Sequence, residues 1–177
     1  MQVDGKKKEN KIQIEILTPH GQTLSVQVDE VTIPSTEGEL GLLPGHRPIM
    51  AVLKGGIVTY LQEKETKRVS VRGGFARAED GKLLLMTDNW VQREEIDPVQ
   101  VRKKLMEIQL KWEQDEHLRG SKGPLSAQER EALMEEHHWL AIQLELHGDP
   151  APPRINSYEE PIPSSVIPQE SSTSSEP

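Results

Sequence analysis

Between Ile12 and Met86 the chain alternates large aliphatic with polar residues, and interrupts that alternation every few positions with glycine, proline or a charged pair. Ile12, Ile14 and Ile16 alternate with Gln13 and Glu15, and Leu24, Val26 and Val28 with Ser25 and Gln27. Val31 and Ile33 follow Asp29-Glu30. Ile49–Leu53 and Ile57–Leu61 flank Lys54-Gly55-Gly56, which reads as a hairpin turn, and Glu63–Lys67 closes the next hairpin. Val69 and Val71, Phe75–Ala78 and Leu83–Met86 come next, separated by Gly73-Gly74 and Asp80-Gly81, and a last strand passes through Trp90 and Val91. A period of two puts one face of each strand in a core. About nine or ten short strands in about 85 residues, with no helical pattern between them, predict a β-sandwich or barrel. The connections are too short for parallel crossovers, so an antiparallel arrangement over residues 11–95 is expected.

At Asp97 the period changes. Asp97 suits an N-cap, Pro98 the first helical position and Gln100 the third, while Val101, Leu105, Ile108 and Trp112 recur at spacings of four, three and four. This predicts a helix to about Leu118, broken by Gly120-Ser121-Lys122-Gly123-Pro124. Ser126-Ala127-Gln128-Glu129 is a capping box for a second helix, with Leu133, His137, Leu140 and Leu144 on one face and Gly148 as its C-terminal cap. The expected unit over 96–148 is a helical hairpin too thin to hold a core of its own, so it should rest against something else. The fold class read from the pattern is therefore α+β: an N-terminal antiparallel β-sandwich, a C-terminal two-helix hairpin and a disordered tail.

Composition narrows the function. Aromatic residues make up 3 % of the chain, so the core is expected to be Ile, Leu and Val. The net charge of -8 argues against a nucleic-acid partner, because no global positive field attracts phosphates. There is no cysteine, which excludes disulfides and thiolate metal sites. Residues 1–10 carry Lys6, Lys7 and Lys8 with no apolar run behind them, and read as a short disordered lead rather than a secretory signal. No apolar stretch reaches the length of a spanning helix, so contact with a membrane is expected only through a complex. Residues 149–177 hold seven of the 13 prolines, seven serines, and five acids against one arginine, a composition expected to stay disordered.

Catalytic motifs are not apparent. Gly74 to Gly81-Lys82 encloses six residues where a P-loop has four, with no Ser or Thr after the lysine. Glu135 and His138, with His137 beside them, have a spacing used by metal-binding bundles, but the first helix offers only Asp115, Glu116 and His117 near its end. A solvated polar face is the simpler reading, and no catalytic residue, cofactor or metal is expected. Trp112 and Trp139 either pack the hairpin or anchor a partner, and the sequence leaves both open.

One stretch is not explained by strand propensity. Ser35 to Pro48 places Gly38, Gly41 and Gly45 among Pro44 and Pro48; Leu40, Leu42 and Leu43 are expected to anchor it, leaving Glu37, Glu39, His46 and Arg47 to solvent or a partner. Glu37-Gly38-Glu39-Leu40-Gly41, then Leu43-Pro44-Gly45-His46 and Pro48, closely resembles the signature of the epsilon subunit of bacterial F-type ATP synthases. The resemblance continues through Leu53-Lys54-Gly55-Gly56-Ile57-Val58 and Val71-Arg72-Gly73-Gly74-Phe75, and covers residues 12 to 147. It implies a β-sandwich followed by a helical hairpin. It also implies a non-catalytic rotor subunit that binds the gamma subunit, touches the c ring, couples proton transport to ATP synthesis, and restrains hydrolysis by reaching the catalytic alpha/beta subunits through its hairpin. Glu39 and His46 match the positions that face the c ring, and the implied location is the cytoplasmic face of the bacterial inner membrane. Some relatives bind ATP through Ile-Asp, two free positions and Arg-Ala; here Ile96-Asp97-Pro98-Val99 is followed by Gln100 and Val101. The alternative from another class is a stand-alone small-ligand sensor with a pocket inside the sandwich.

Overall fold

The structure, a computed structural model, describes residues 11–21, 23–117 and 125–148. The lead, the break at 120–124 and the tail expected from the sequence lie outside the described residues. Among the described residues ten strands run in chain order: β1 Ile12–Leu17, β2 Thr23–Val28, β3 Glu30–Ser35, β4 Gly38–Leu42, β5 Ile49–Leu53, β6 Gly56–Gln62, β7 Glu65–Val71, β8 Gly74–Glu79, β9 Lys82–Met86 and β10 Trp90–Gln92. They pair in the order β10-β7-β6-β3-β5-β8-β9-β1-β2, with β4 added to β3. Between β3 and β5 a single residue pair, Ser35 with Leu53, joins two halves of this path. Ile14, Ile16, Leu83 and Leu85 from one half meet Val58, Val69, Val71 and Ile33 from the other in one core. The aliphatic core expected from composition is present, with Tyr60 and Trp90 buried in it as well.

Two local expectations differ from what the backbone does. β1 and β9 pair in parallel, Gln13 with Lys82 through Leu17 with Met86. The connection rule forbids parallel pairing only between strands joined by a short turn; here seven strands intervene and serve as the crossover. Lys54-Gly55-Gly56 is not a hairpin turn either, because β5 pairs with β8 and β3 while β6 pairs with β7 and β3. Both glycine pairs instead carry the chain across between the halves, where backbones come close. A Cβ on Gly56 would lie 2.7 Å from the Pro34 Cβ, and one on Gly74 only 2.0 Å from the Met86 carbonyl oxygen. Two of the hairpins turn at Glu63-Lys64 and Asp80-Gly81, all four residues having positive φ as a right-twisted two-residue hairpin needs.

The helices begin and end as their caps dictate. α1, Pro98–His117, starts with Asp97 Oδ1 accepting the N–H groups of Val99 at 3.0 Å and Gln100 at 3.2 Å. α2, Ala127–His147, starts on the Ser126/Glu129 box and ends at Gly148, which at φ 103 and ψ 12 donates its N–H to Leu144 and Glu145. The Ser126 N–H donates to the Glu129 carboxylate at 2.7 Å, which lowers that carboxyl group's pKa. Val101, Leu105 and Ile108 pack against Leu140 and Leu144, and this seam continues onto Ile57 of β6 and Val91 of β10. The hairpin therefore rests on the outer face of the β10-β7-β6 half. Trp139 is buried, which gives it a packing role, and Trp112 is half-buried.

Candidate docking surfaces

Each half of the sandwich has an inner face in the core and an outer face, and the two outer faces have different fates. On the β10-β7-β6 side the helical hairpin covers the outer face. Gly55 marks the closest approach: a Cβ there would meet the Ile142 Cδ1 at 3.1 Å and the His138 ring at 3.3 Å. Arg72 at the end of β7 reaches Glu136 of α2 at 2.9 Å. His137 is buried, its Nε2 has no partner among the described residues, and burial followed by neighbouring His138 lowers its pKa. α2 is thus seated with His137 neutral. Between α2 and the sandwich lies a cavity of ≈ 250 Å³ lined by Gly55, Arg72, Asp88, Glu135, His138 and Trp139. The Glu135/His138 pair singled out by spacing faces it, opposite the Arg72 guanidinium, and among the described residues no three His, Asp or Glu side chains are arranged to hold a metal ion.

On the other half the outer face is open. The register of β5, β8, β9 and β1 sets Val52 beside Phe75, Phe75 beside Met86, and Met86 beside Leu17, one continuous cross-strand row. All four side chains are exposed, Phe75 by 54 %, and Met50, next along the same face of β5, by 71 %. Moving along the strands, the face becomes polar: Met50 stands beside Arg77, Arg77 beside Leu84 and Leu84 beside Glu15. Arg77 pairs with Glu79, and Asp80 and Lys82 complete the charged end. A contiguous apolar patch with a charged margin is the arrangement of a protein-binding face.

The Ser35–Pro48 stretch forms the third surface. Its first part is a hairpin: Ser35 pairs with Gly38 across a two-residue turn, the Ser35 hydroxyl donates to the Gly38 carbonyl at 2.7 Å, and Gly38 has φ 124. Alternation along β4 then turns Leu40 and Leu42 inward and Glu39 outward, opposite Pro34. Leu43, expected to be an anchor, is 59 % exposed, because it is the first residue past the strand and falls on Glu39's parity. A turn follows in which the His46 N–H donates to the Leu43 carbonyl at 3.0 Å and Gly45 has φ 83, as a Pro-Gly pair at its centre allows. His46 Nδ1 donates to the Arg47 carbonyl at 2.7 Å, leaving Nε2 outward. Glu37, Glu39, His46 and Arg47 are all exposed, Glu37 on the β3–β4 turn, Glu39 on β4, and His46 and Arg47 at the turn that follows.

Residues 11–93 match the family model for the ATP synthase Delta/Epsilon chain, beta-sandwich domain. The ATP synthase epsilon chain of Nitratidesulfovibrio vulgaris is 39% identical over 95 residues, 54% of this chain and 71% of that one. The chain belongs to the ATP synthase epsilon chain family. An epsilon chain from Leptospira interrogans is 32% identical over 100 residues, 56% of this chain and 79% of that one. A solved Euglena gracilis mitochondrial ATP synthase, captured as OSCP/F1/c-ring, contains a chain similar at TM-score 0.60 and 26% identity, covering 77% of this chain and 80% of that one. Epsilon chains are non-catalytic stalk subunits, and among the described residues of this one no helix is long and apolar enough to cross a membrane.

The sequence resemblance found the family and pointed to Glu39 and His46, which are exposed, but it did not single out the apolar row. Its signal was present: Ile49-Met50-Ala51-Val52-Leu53 has no polar residue on either parity, and Phe75, Met86 and Leu17 stand at outward positions of otherwise alternating strands. A strand apolar on both faces is one whose outer face expects a cover.

Proposed function

We propose that this epsilon chain links the gamma subunit to the c ring, turns with both, and so couples proton transport to ATP synthesis. Gamma seats on the row Val52, Phe75, Met86 and Leu17. The observation that carries this reading is the asymmetry of the sandwich: one outer face is closed by the chain's own helices, whereas the other keeps an apolar row exposed. The c ring meets the Glu39 and His46 loop, whose exposed polar groups suit the polar loops of a membrane ring. A subunit held this way is peripheral, on the cytoplasmic face of the bacterial inner membrane, and touches the membrane only through the complex. The rival small-ligand sensor is disfavoured by a sandwich interior filled with aliphatic side chains.

The hairpin on this reading restrains ATP hydrolysis through α1, whose Arg102, Lys103, Lys104 and Lys111 attract acidic segments of the catalytic alpha/beta subunits. α2 contributes little, since Glu129, Glu131, Glu135, Glu136 and Glu145 outnumber Arg130, and Arg130 is held by Asp115 at 2.6 Å. Gln100 and Val101 replace the Arg-Ala of the nucleotide motif, so ATP does not relieve the restraint.

Replacing Glu39 and His46 together by alanine should lower ATP-driven proton pumping in membrane vesicles while hydrolysis continues. Both side chains are exposed, so folding stability should stay within about 0.5 kcal/mol. Normal pumping by the double variant would remove these residues from the coupling interface.

A further inference from the structure

α2 lies between the sandwich and α1. It meets β6 and β7, whereas α1 is held chiefly by α2. The seam between the two helices is aliphatic, with Val101, Leu105 and Ile108 of α1 against Leu140 and Leu144 of α2 and partly buried Leu133 beside them. His137 interrupts it. This histidine stands four residues after Leu133 and three before Leu140, and so on the face that α2 turns to α1. Arg130 and Asp115, bridged at 2.6 Å, set the antiparallel register, and counting seven residues from each brings His137 level with Ile108. The imidazole is 4 % exposed, and its Nε2 has no hydrogen-bond partner among the described residues.

The charges around this position do not compensate a proton on it. From α1, one turn either side of Ile108, come Lys104 and Lys111, which are like charges, and Glu107 is exposed, turned about 100° from Ile108. On α2 itself, His138 is a further like charge when protonated, and Glu136 is engaged by Arg72 at 2.9 Å. Glu135 and Asp88 line the cavity on the sandwich side of the helix, and Arg93 meets α2 at its far end, beside Gly148. Protonation would therefore place a charge, and an N–H without an acceptor, in an aliphatic seam; burial, then His138, lower the pKa accordingly. In separated helices the imidazole is hydrated and keeps its ordinary pKa of about 6.5. The proton thus belongs to the separated state: the seam is at full strength above about pH 6.5 and weakens as the pH falls below it. We propose that His137 is a proton-operated latch in the helical hairpin, whose protonation releases α1 from α2 while the sandwich stays folded. If the reading of α1 given under Proposed function holds, acidification frees the basic helix that meets the catalytic subunits and strengthens the restraint on hydrolysis; the latch itself is tested on the free chain, without those subunits.

Amide hydrogen exchange of the full chain reads this opening. Protection of the α1 amides, corrected for the intrinsic pH dependence of exchange, should fall roughly tenfold between about pH 7.5 and about pH 5.5, as one proton bound only in the opened state requires. The amides of β1 and β9 should keep theirs. His137→Leu should hold α1 protected at both pH values. His137→Gln, which leaves a neutral polar side chain in the seam, should lower the protection but also remove its pH dependence. His138→Gln should keep the tenfold response. A response that persists in both His137 variants, or that disappears in His138→Gln, would overturn the latch. So would α1 protection that does not change with pH in the parent chain, or an equal loss in α1 and β1, which would mark unfolding of the whole chain.

Discussion

Replacing Phe75 by aspartate is expected to weaken gamma binding by about 2 to 4 kcal/mol, a loss of roughly thirty- to a thousandfold. Phe75 is the largest side chain of the outer row and sits between Val52 and Met86, the central position from which truncation of a binding face costs most. A carboxylate there would be buried in the complex without a partner, which adds to the lost apolar contact. The fold should tolerate the change. Phe75 is half-exposed in the free chain and contributes only cross-strand contacts worth about 1 kcal/mol. Phe75→Leu should keep most of the affinity. An aspartate variant that stays folded and binds gamma as well as the parent would dismiss this face as the gamma seat.

Gly74→Ala is expected to be the most damaging small substitution in the sandwich, at about 3 kcal/mol or more. Two independent effects combine. Gly74 has φ 121, a conformation that costs other residues on the order of 1–3 kcal/mol, and the added Cβ would lie 2.0 Å from the Met86 carbonyl oxygen. That oxygen belongs to backbone, so relief requires β8 to move away from β9 and to lose the Phe75–Met86 pairing that begins there. Gly21→Ala isolates the first effect, because Gly21 has φ 78 but nothing within 4 Å of its Cβ position. Urea unfolding should show Gly21→Ala losing about 1 kcal/mol and Gly74→Ala several times that. Equal losses would mean that the close approach to Met86 is easily relieved.

What could be read from the sequence, and what could not, divides along the range of the interactions. Nine of the ten strands among the described residues, the Asp97 and Ser126 caps and the Gly148 terminus follow from neighbours within about four residues and stand where the sequence puts them, whereas β4 lies in the stretch read as turns and β7 begins at Glu65, inside the segment read as a hairpin closure. The parallel β1–β9 pair and the crossings at Gly55-Gly56 and Gly73-Gly74 depend on residues tens of positions apart. A glycine pair looks the same in sequence whether it turns a hairpin or lets two backbones pass, so the second role emerged only from the distances. Leu43 shows the same limit at small scale. Its side chain looked like an anchor by type, but strand parity places it outward with Glu39. At the candidate surfaces, the exposed Glu39/His46 loop was legible because its polar residues stand out among glycines and leucines. The apolar row was not, because each of its members is an ordinary strand residue and only the register sets them side by side.

The two-sided reading of this subunit is tested most directly by photo-crosslinking in the assembled, full-length complex. A photoreactive group is placed at Phe75 in one preparation and at Glu39 in another, and the captured chains are identified by mass spectrometry. Gamma adducts are expected from position 75 and c-subunit adducts from position 39. Alpha or beta adducts from position 75, or no c-subunit adduct from position 39 in a complex that still pumps protons, would contradict the two-sided reading.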